Sequence, residues 1–158
     1  MDNKSIGFTI GKFAPFHKGH EYLIGTALNE VDELYVIVYD TPKLGFDIDE
    51  KTKWVKDRFP NVKIIKAFDS PKQYGLDDES VKIQMEYLTK TLGNVKPNVF
   101  FSSEEYGSAV ANWMNIENRV VDIDRIHVPI GASAIRKDIE KNKNFLNEEV
   151  YGDLISKK

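Results

Sequence analysis

Ser5-Ile-Gly-Phe-Thr-Ile-Gly-Lys-Phe13 runs directly into Ala14-Pro-Phe-His-Lys-Gly-His20, and an apolar periodicity follows as far as Val31. The first part reads as a strand. From His17 to Val31 the chain reads as a helix, because Ile24, Ala27, Leu28 and Val31 fall at i, i+3, i+4 and i+7. A helix that opens just after a strand presents unpaired backbone N–H groups and the positive end of its dipole, which together make a ready phosphate site. Gly11 allows close backbone approach and Pro15 stiffens the turn. His17 and His20 project from one face of the opening helical turn. Two imidazoles placed there can donate hydrogen bonds to a phosphoryl group as its charge redistributes.

Outward from this junction the same rhythm repeats. Leu34–Tyr39 (LYVIVY) is a near-continuous apolar run, as in a strand buried on both faces. Asp49–Phe59 reads as a helix stopped by Pro60, and Val62–Phe68 as a strand. Asp77–Leu92 is a helix with Val81, Met85, Leu88 and Leu92 along one face and Gly93 past its end. Val99–Ser102 is a short strand, and Tyr106–Met114 a helix expected to bury Val110, Trp113 and Met114. Val120–Ile123 and Ile126–Val128 are further strand candidates, and Ser133–Lys141 is helical. Such alternation predicts an α/β fold: a Rossmann-like, doubly wound parallel sheet of about five strands with helices on both faces. Ligands of such sheets bind outside the carboxyl ends of the strands.

Length and composition set the outer bounds. The 158 residues are expected to form one domain over 1–158, and 41% apolar with 11% aromatic residues suffice for a core. The absence of cysteine removes disulfides, thiol nucleophiles and Cys-ligated zinc. With 22 Lys plus Arg against 25 Asp plus Glu, the net charge of −3 argues against a nucleic-acid surface. No apolar stretch is long enough for a membrane span, and the polar start predicts no signal peptide, so the expectation is a cytoplasmic protein.

A bare H-x-x-H pair also suits exposed residues or an adventitious metal pair. Here, however, it holds two of the three histidines and follows a glycine and a proline in a strand-to-helix turn. No G-x-x-x-x-G-K-[ST] or G-x-G-x-x-G occurs. Gly11-Lys12-Phe13-Ala14-Pro15-Phe16-His17-Lys18-Gly19-His20 resembles the G-x-F-x-P-x-H-x-G-H signature of the nucleotidyltransferase superfamily. Lys12, with Ser102-Ser-Glu-Glu-Tyr-Gly107, is most similar to the adenylyltransferase domain of the bifunctional nicotinamide mononucleotide adenylyltransferase and ribosylnicotinamide kinase family. The resemblance covers residues 5–150.

A second signature of that superfamily, I-S-x-T-x-I-R, is similar to Ile130-Gly-Ala-Ser-Ala-Ile-Arg136. Pro129 and Gly131 break the chain, Ser133 suits a cap or a first-turn position, and Arg136 lies one turn on. A hydroxyl, bare N–H groups and a guanidinium at one helix start suit a pyrophosphate, though a capped surface helix with an exposed arginine has the same pattern. Gly131 departs from the signature: a hydroxyl is lost while the backbone donor stays. Ser102-Ser103-Glu104-Glu105 follows a strand, where it can also cap a helix and complement its dipole.

The resemblance implies transfer of AMP from ATP to a phosphate-bearing acceptor, most directly nicotinamide mononucleotide, with release of pyrophosphate. A phosphate acceptor is already ionised, so alignment and charge stabilisation are needed rather than a strong base. His17 and His20 would contact the α-phosphate and the bridging oxygen, Lys12 would add positive charge, and Ser133 with Arg136 would hold the β and γ phosphates. Gly11, Phe13, Gly19, Ser102, Ser103 and Glu104 would border the nucleotide, and Mg2+ would arrive on the triphosphate, with no protein cage. On the acceptor side the candidates are Asp40, Trp54 (which otherwise suits the core) and Tyr74, the aromatic of Ser70–Leu76, where the family usually has tryptophans. His127, between Ile126 and Val128, reads as structural. A cytidylyltransferase acting on a phosphorylated alcohol lacks its R-T-x-G-I-S-T-T string here, and a non-catalytic nucleotide sensor would leave His17, His20 and Arg136 without a task. Homologous enzymes often assemble, which makes a homo-oligomer an expectation.

Overall fold

A computed structural model describes residues 4–71, 77–103, 107–122 and 128–156, and through them strand and helix alternate. The elements are β1 (Ile6–Gly11), α1 (Lys18–Glu30), β2 (Glu33–Tyr39), α2 (Ile48–Arg58), β3 (Lys63–Ala67), α3 (Asp78–Leu92), β4 (Val99–Ser102), α4 (Gly107–Met114), β5 (Glu117–Val120), α5 (Ala132–Lys137) and α6 (Glu148–Ser156). The strands form one parallel sheet in the order β3-β2-β1-β4-β5. This is the doubly wound arrangement that the alternation predicts.

Packing follows from the strands' two apolar faces. In β2, Leu34, Val36 and Val38 face one core, with Leu23, Ile24 and Ala27 of α1, Trp54 and Val55 of α2, Ile135 of α5, and Val150 and Leu154 of α6. Ile37 and Tyr39 face the other core, with Met85, Leu88 and Leu92 of α3 and Val110 of α4. Phe8 of β1 and Phe100 of β4 meet there with ring centroids 4.7 Å apart. Side chains of this size contribute ~1.5–3 kcal/mol each on burial, which makes the two faces the main stabilising layers. Because β1 has β2 on one side and β4 on the other, the winding reverses between β1 and β4, and a crevice opens at the carboxyl ends of both.

Helix ends carry their signals locally. Asp77 accepts from the Ser80 N–H at the start of α3, Asp78 and Glu79 sit in its first turn, and Gly93 (φ 59°) ends it. Several boundaries differ from expectation. β1 stops at Gly11, so Lys12 and Phe13 belong to the loop. β5 spans Glu117–Val120 instead of Val120–Ile123, while the second candidate, 126–128, lies largely outside the described residues. α5 ends at Lys137, not Lys141, and α6 was not anticipated; its start is marked by Asn147, which accepts from the Val150 N–H. Trp113 is 48% exposed, contrary to expectation, because α4 buries Gly107, Val110 and Ala111 and turns the tryptophan outward. No helix among the described residues is long and apolar enough to cross a membrane.

Candidate active site

The opening turn of α1 is built around its histidines. His17 is the N-cap: its Nδ1 accepts from the Gly19 N–H at 3.0 Å, while the Nδ1 of His20 accepts from the His17 N–H at 3.1 Å. This is a capping box made of two imidazoles, a construction worth ~1 kcal/mol per cap in other chemistries. The consequence for chemistry is larger. An Nδ1 committed as acceptor places the single proton of a neutral imidazole on Nε2, so this network assigns both rings as Nε2–H donors. The rings stack with centroids 3.7 Å apart, and His20 is held from other sides by Phe13 (4.7 Å) and Phe16 (5.9 Å).

The glycines of this segment make room for rings. A Cβ on Gly19 would lie 2.7 Å from Cε1 of His17, and one on Gly11 2.8 Å from the ring of Phe13. Phe13 itself sits at φ 48°, a left-handed conformation that a bulky residue adopts only where its surroundings hold it. The first loop is therefore a clamp of aromatic and imidazole rings over bare backbone.

The late signature reaches this loop from the other end of the chain. Nη1 of Arg136 donates to the carbonyl of Ala14 at 2.6 Å, tying α5 to the turn before His17. Gly131 is the N-cap of α5, with no side-chain cap bond, so Ser133 is a first-turn residue and not the cap. At β4, the Ser102 hydroxyl lies 2.2 Å from where a Cβ of Gly107 would stand, and the glycine lets α4 begin directly against it.

These pieces border one cavity of about 550 Å³. Gly11, Lys12, Phe13, His17, Gly19, His20, Ser102, Ser103, Ser133 and Arg136 line one end of it. Tyr39, Leu44, Val81, Gln84, Met85 and Leu88 line the other, under α3. The volume suits a small ligand, and the two ends differ in kind: cationic and donor-rich at the first loop, mostly apolar with one phenol and one amide at α3.

Residues 7–74 match the citrate lyase ligase C-terminal domain family. The chain is 29% identical over 166 residues to the trifunctional NAD biosynthesis/regulator protein NadR of Salmonella typhimurium, covering 93% of this chain and 40% of that protein. It is 28% identical over 155 residues to the phosphopantetheine adenylyltransferase of Fusobacterium nucleatum, covering 93% of this chain and 87% of that enzyme. A solved NadR protein in complex with NAD and AMP-PNP superposes with a TM-score of 0.62 at 20% identity, over 92% of this chain and 45% of that one. The chain is thus similar in sequence to NadR and to a phosphopantetheine adenylyltransferase, and similar in fold to NadR. It spans about two-fifths of the length of the NadR proteins it matches, and most of the length of the adenylyltransferase.

Not every expected site residue reaches the cavity. Trp54 is 1% exposed in the core against α6, its Nε1 donating to Asp153 at 2.8 Å, and it does not line the cavity. Asp40 follows β2 but does not line the cavity; its N–H donates to the Ala67 carbonyl, and its charge acts on Lys51. Tyr74, Glu104 and His127 lie outside the described residues. Two polar residues escaped the sequence reading. Asp122, at φ 52°, lines the cavity and accepts from the Val128 N–H at 3.0 Å; it was missed because β5 was placed three residues late. Lys51 is fully buried under the exit of β2, and nothing in its helical spacing separates it from the charged residues on either side. Burial lowers its pKa to about 8 against the opposing pull of Asp40 and Asp47, and Lys12 adds to the lowering.

Proposed function

We propose that the chain is an adenylyltransferase that joins AMP from ATP to a phosphate-bearing acceptor, with nicotinamide mononucleotide as the favoured acceptor and NAD as the product. The observation that carries this reading is the imidazole capping box at a helix start, with both of its rings lining the cavity.

In this reading an oxygen of the acceptor phosphate attacks the α-phosphorus of ATP. The new O–P bond forms as the bond from the α-phosphorus to the bridging oxygen breaks, and pyrophosphate leaves with the electron pair. No proton has to be removed from the nucleophile, so the reaction needs no strong general base. His17 and His20 donate to the α-phosphate and the bridging oxygen, where charge grows in the transition state. Lys12 adds positive charge at the same end. Arg136 and Ser133 hold the departing phosphates, and the guanidinium bond to Ala14 keeps the two halves of the phosphate site in fixed relation. Mg2+ would come bound to the triphosphate, with no protein cage required. That ion would neutralise phosphate charge.

Pyrophosphate release measured with ATP or CTP against a panel of phosphomonoesters tests the proposal. Turnover with ATP and nicotinamide mononucleotide is the expected result. Turnover with another phosphomonoester alone would replace the acceptor, and preference for CTP would replace the nucleotide. Tight ATP binding with no turnover on any acceptor would sink the enzyme reading in favour of a sensor.

A further inference from the structure

Lys51 is shut off from solvent, and the transfer mechanism above leaves it without a role. It lies on the inward face of α2, with Ile48, Trp54 and Val55 as the other buried residues of that helix. An amine among such neighbours is costly unless its protons are bonded. Its Nζ donates to the Tyr39 carbonyl and to the Thr41 hydroxyl, each at 2.6 Å. These two acceptors flank Asp40 and straddle the exit of β2. Beyond them the chain folds back on itself: Thr41 bridges Phe46, the Leu44 N–H donates to the Thr41 carbonyl at 3.0 Å, and the Gly45 N–H to the Pro42 carbonyl at 3.3 Å. Tyr39 and Leu44, at the two ends of this fold-back, both line the α3 end of the cavity.

We infer that Lys51 is a positioning residue: from beneath the sheet it locks the 39–46 turn, so that Tyr39 and Leu44 stand as a fixed wall for the acceptor. A neutral amine keeps two N–H donors for two acceptors, so the lock holds in either charge state. The part of this inference that concerns the acceptor rests on the adenylyltransferase reading; the part that concerns the turn does not.

Lys51→Met and Thr41→Val, alone and together, provide the test, with Lys53→Met on the outer face of the same helix as control. Hydrogen exchange at the Leu44 and Gly45 amides should speed up by about 10-fold or more in Lys51→Met and by less in Thr41→Val. The KM for nicotinamide mononucleotide should rise about 10-fold, with kcat and the KM for ATP within about 2-fold of the parent. Because both variants cut one linkage, the double variant should lose no more than Lys51→Met alone. Lys53→Met should leave all of these quantities unchanged. Unaltered exchange at Leu44 and Gly45 in both single variants, or a KM for ATP that climbs in step with that of the acceptor, overturns the inference. If the parent protein turns over no nicotinamide mononucleotide, the choice of acceptor fails, while the exchange measurements still decide the role of Lys51.

Discussion

The two ends of the cavity are built on opposite plans. At the first loop, ten consecutive residues supply a helix start, two imidazoles, a cation and the glycines that admit the rings, and Ser102, Ser103, Ser133 and Arg136 join them from later in the chain. At the α3 end the wall is collected from β2, the turn after it and one face of a helix, in residues running from Tyr39 to Leu88. The first end commits its imidazole Nδ1 atoms and the Arg136 guanidinium to the backbone. The second is the edge of the hydrophobic core left open: Met85 and Leu88 are each 1% exposed and still border the cavity. Chemistry that needs a helix N-terminus is concentrated in the chain, whereas shape made from core residues is dispersed along it.

The sharpest way to break this contrast is at the histidines. His20→Ala should lower turnover about 100-fold or more, the loss seen when a transition-state donor is removed. His17→Asn asks a finer question, since asparagine is among the best N-caps and its Oδ1 can replace the imidazole Nδ1 as acceptor from Gly19. It should keep the melting temperature while losing turnover to a degree similar to His20→Ala. Steady-state kinetics beside thermal unfolding checks both. A His17→Asn variant that is unstable yet fully active per folded molecule would reduce the capping box to a structural device.

Gly19→Ala comes next. Alanine favours a helix over glycine by ~0.5–1 kcal/mol, which offsets the ~1 kcal/mol cap bond strained by a displaced His17 ring, so stability should stay about level. The added Cβ nevertheless meets the His17 ring at 2.7 Å and must push the donor off its line. Turnover should fall about 10-fold, since small misplacements of a positioned group are costly. Unchanged turnover would mean that the ring has slack, and that its stacking on His20 does not fix the donor.

This contrast also explains what was legible. The sheet was readable from LYVIVY and its neighbours because a strand buried on both faces has no polar alternation to confuse it. That the first loop would border a cavity was readable because its residues are adjacent and of unusual type. Trp113 was not: it is a large apolar residue at helical spacing, and periodicity alone does not tell the inner face from the outer. It is 48% exposed, whereas Trp54, which suits the core by its sequence, is 1% exposed. Asp122 was lost to a shifted strand end, and Lys51 to its resemblance to any surface lysine beside an acidic residue.

Trp54 gives a smaller effect that sharpens the boundary of the site. Trp54→Phe keeps most of the buried volume and gives up the Nε1 bond to Asp153, so stability should drop by about 1 kcal/mol. For a chain of this size that is a fall of ~2–4 °C in melting temperature. Both KM values should stay as they are. A raised KM without a thermal shift would return Trp54 to the ligand and extend the cavity through the core beneath β2.

The smallest effect belongs to the dispersed end. Gln84 contributes the amide of the α3 wall, and its Nε2 donates to the Pro71 carbonyl at a long 3.3 Å. Where a wall is shared among several core side chains, truncating one removes a fraction of the contact and leaves the others in place. Gln84→Ala should therefore raise the acceptor KM about 3-fold, with kcat and the KM for ATP unchanged, the pattern of an interaction made equally in ground and transition states. The size of that number decides the comparison. A loss as large as that of His20→Ala would mean that the α3 end also acts on the transition state, and that the concentration of chemistry in the first loop is only the part of it that adjacent residues make visible.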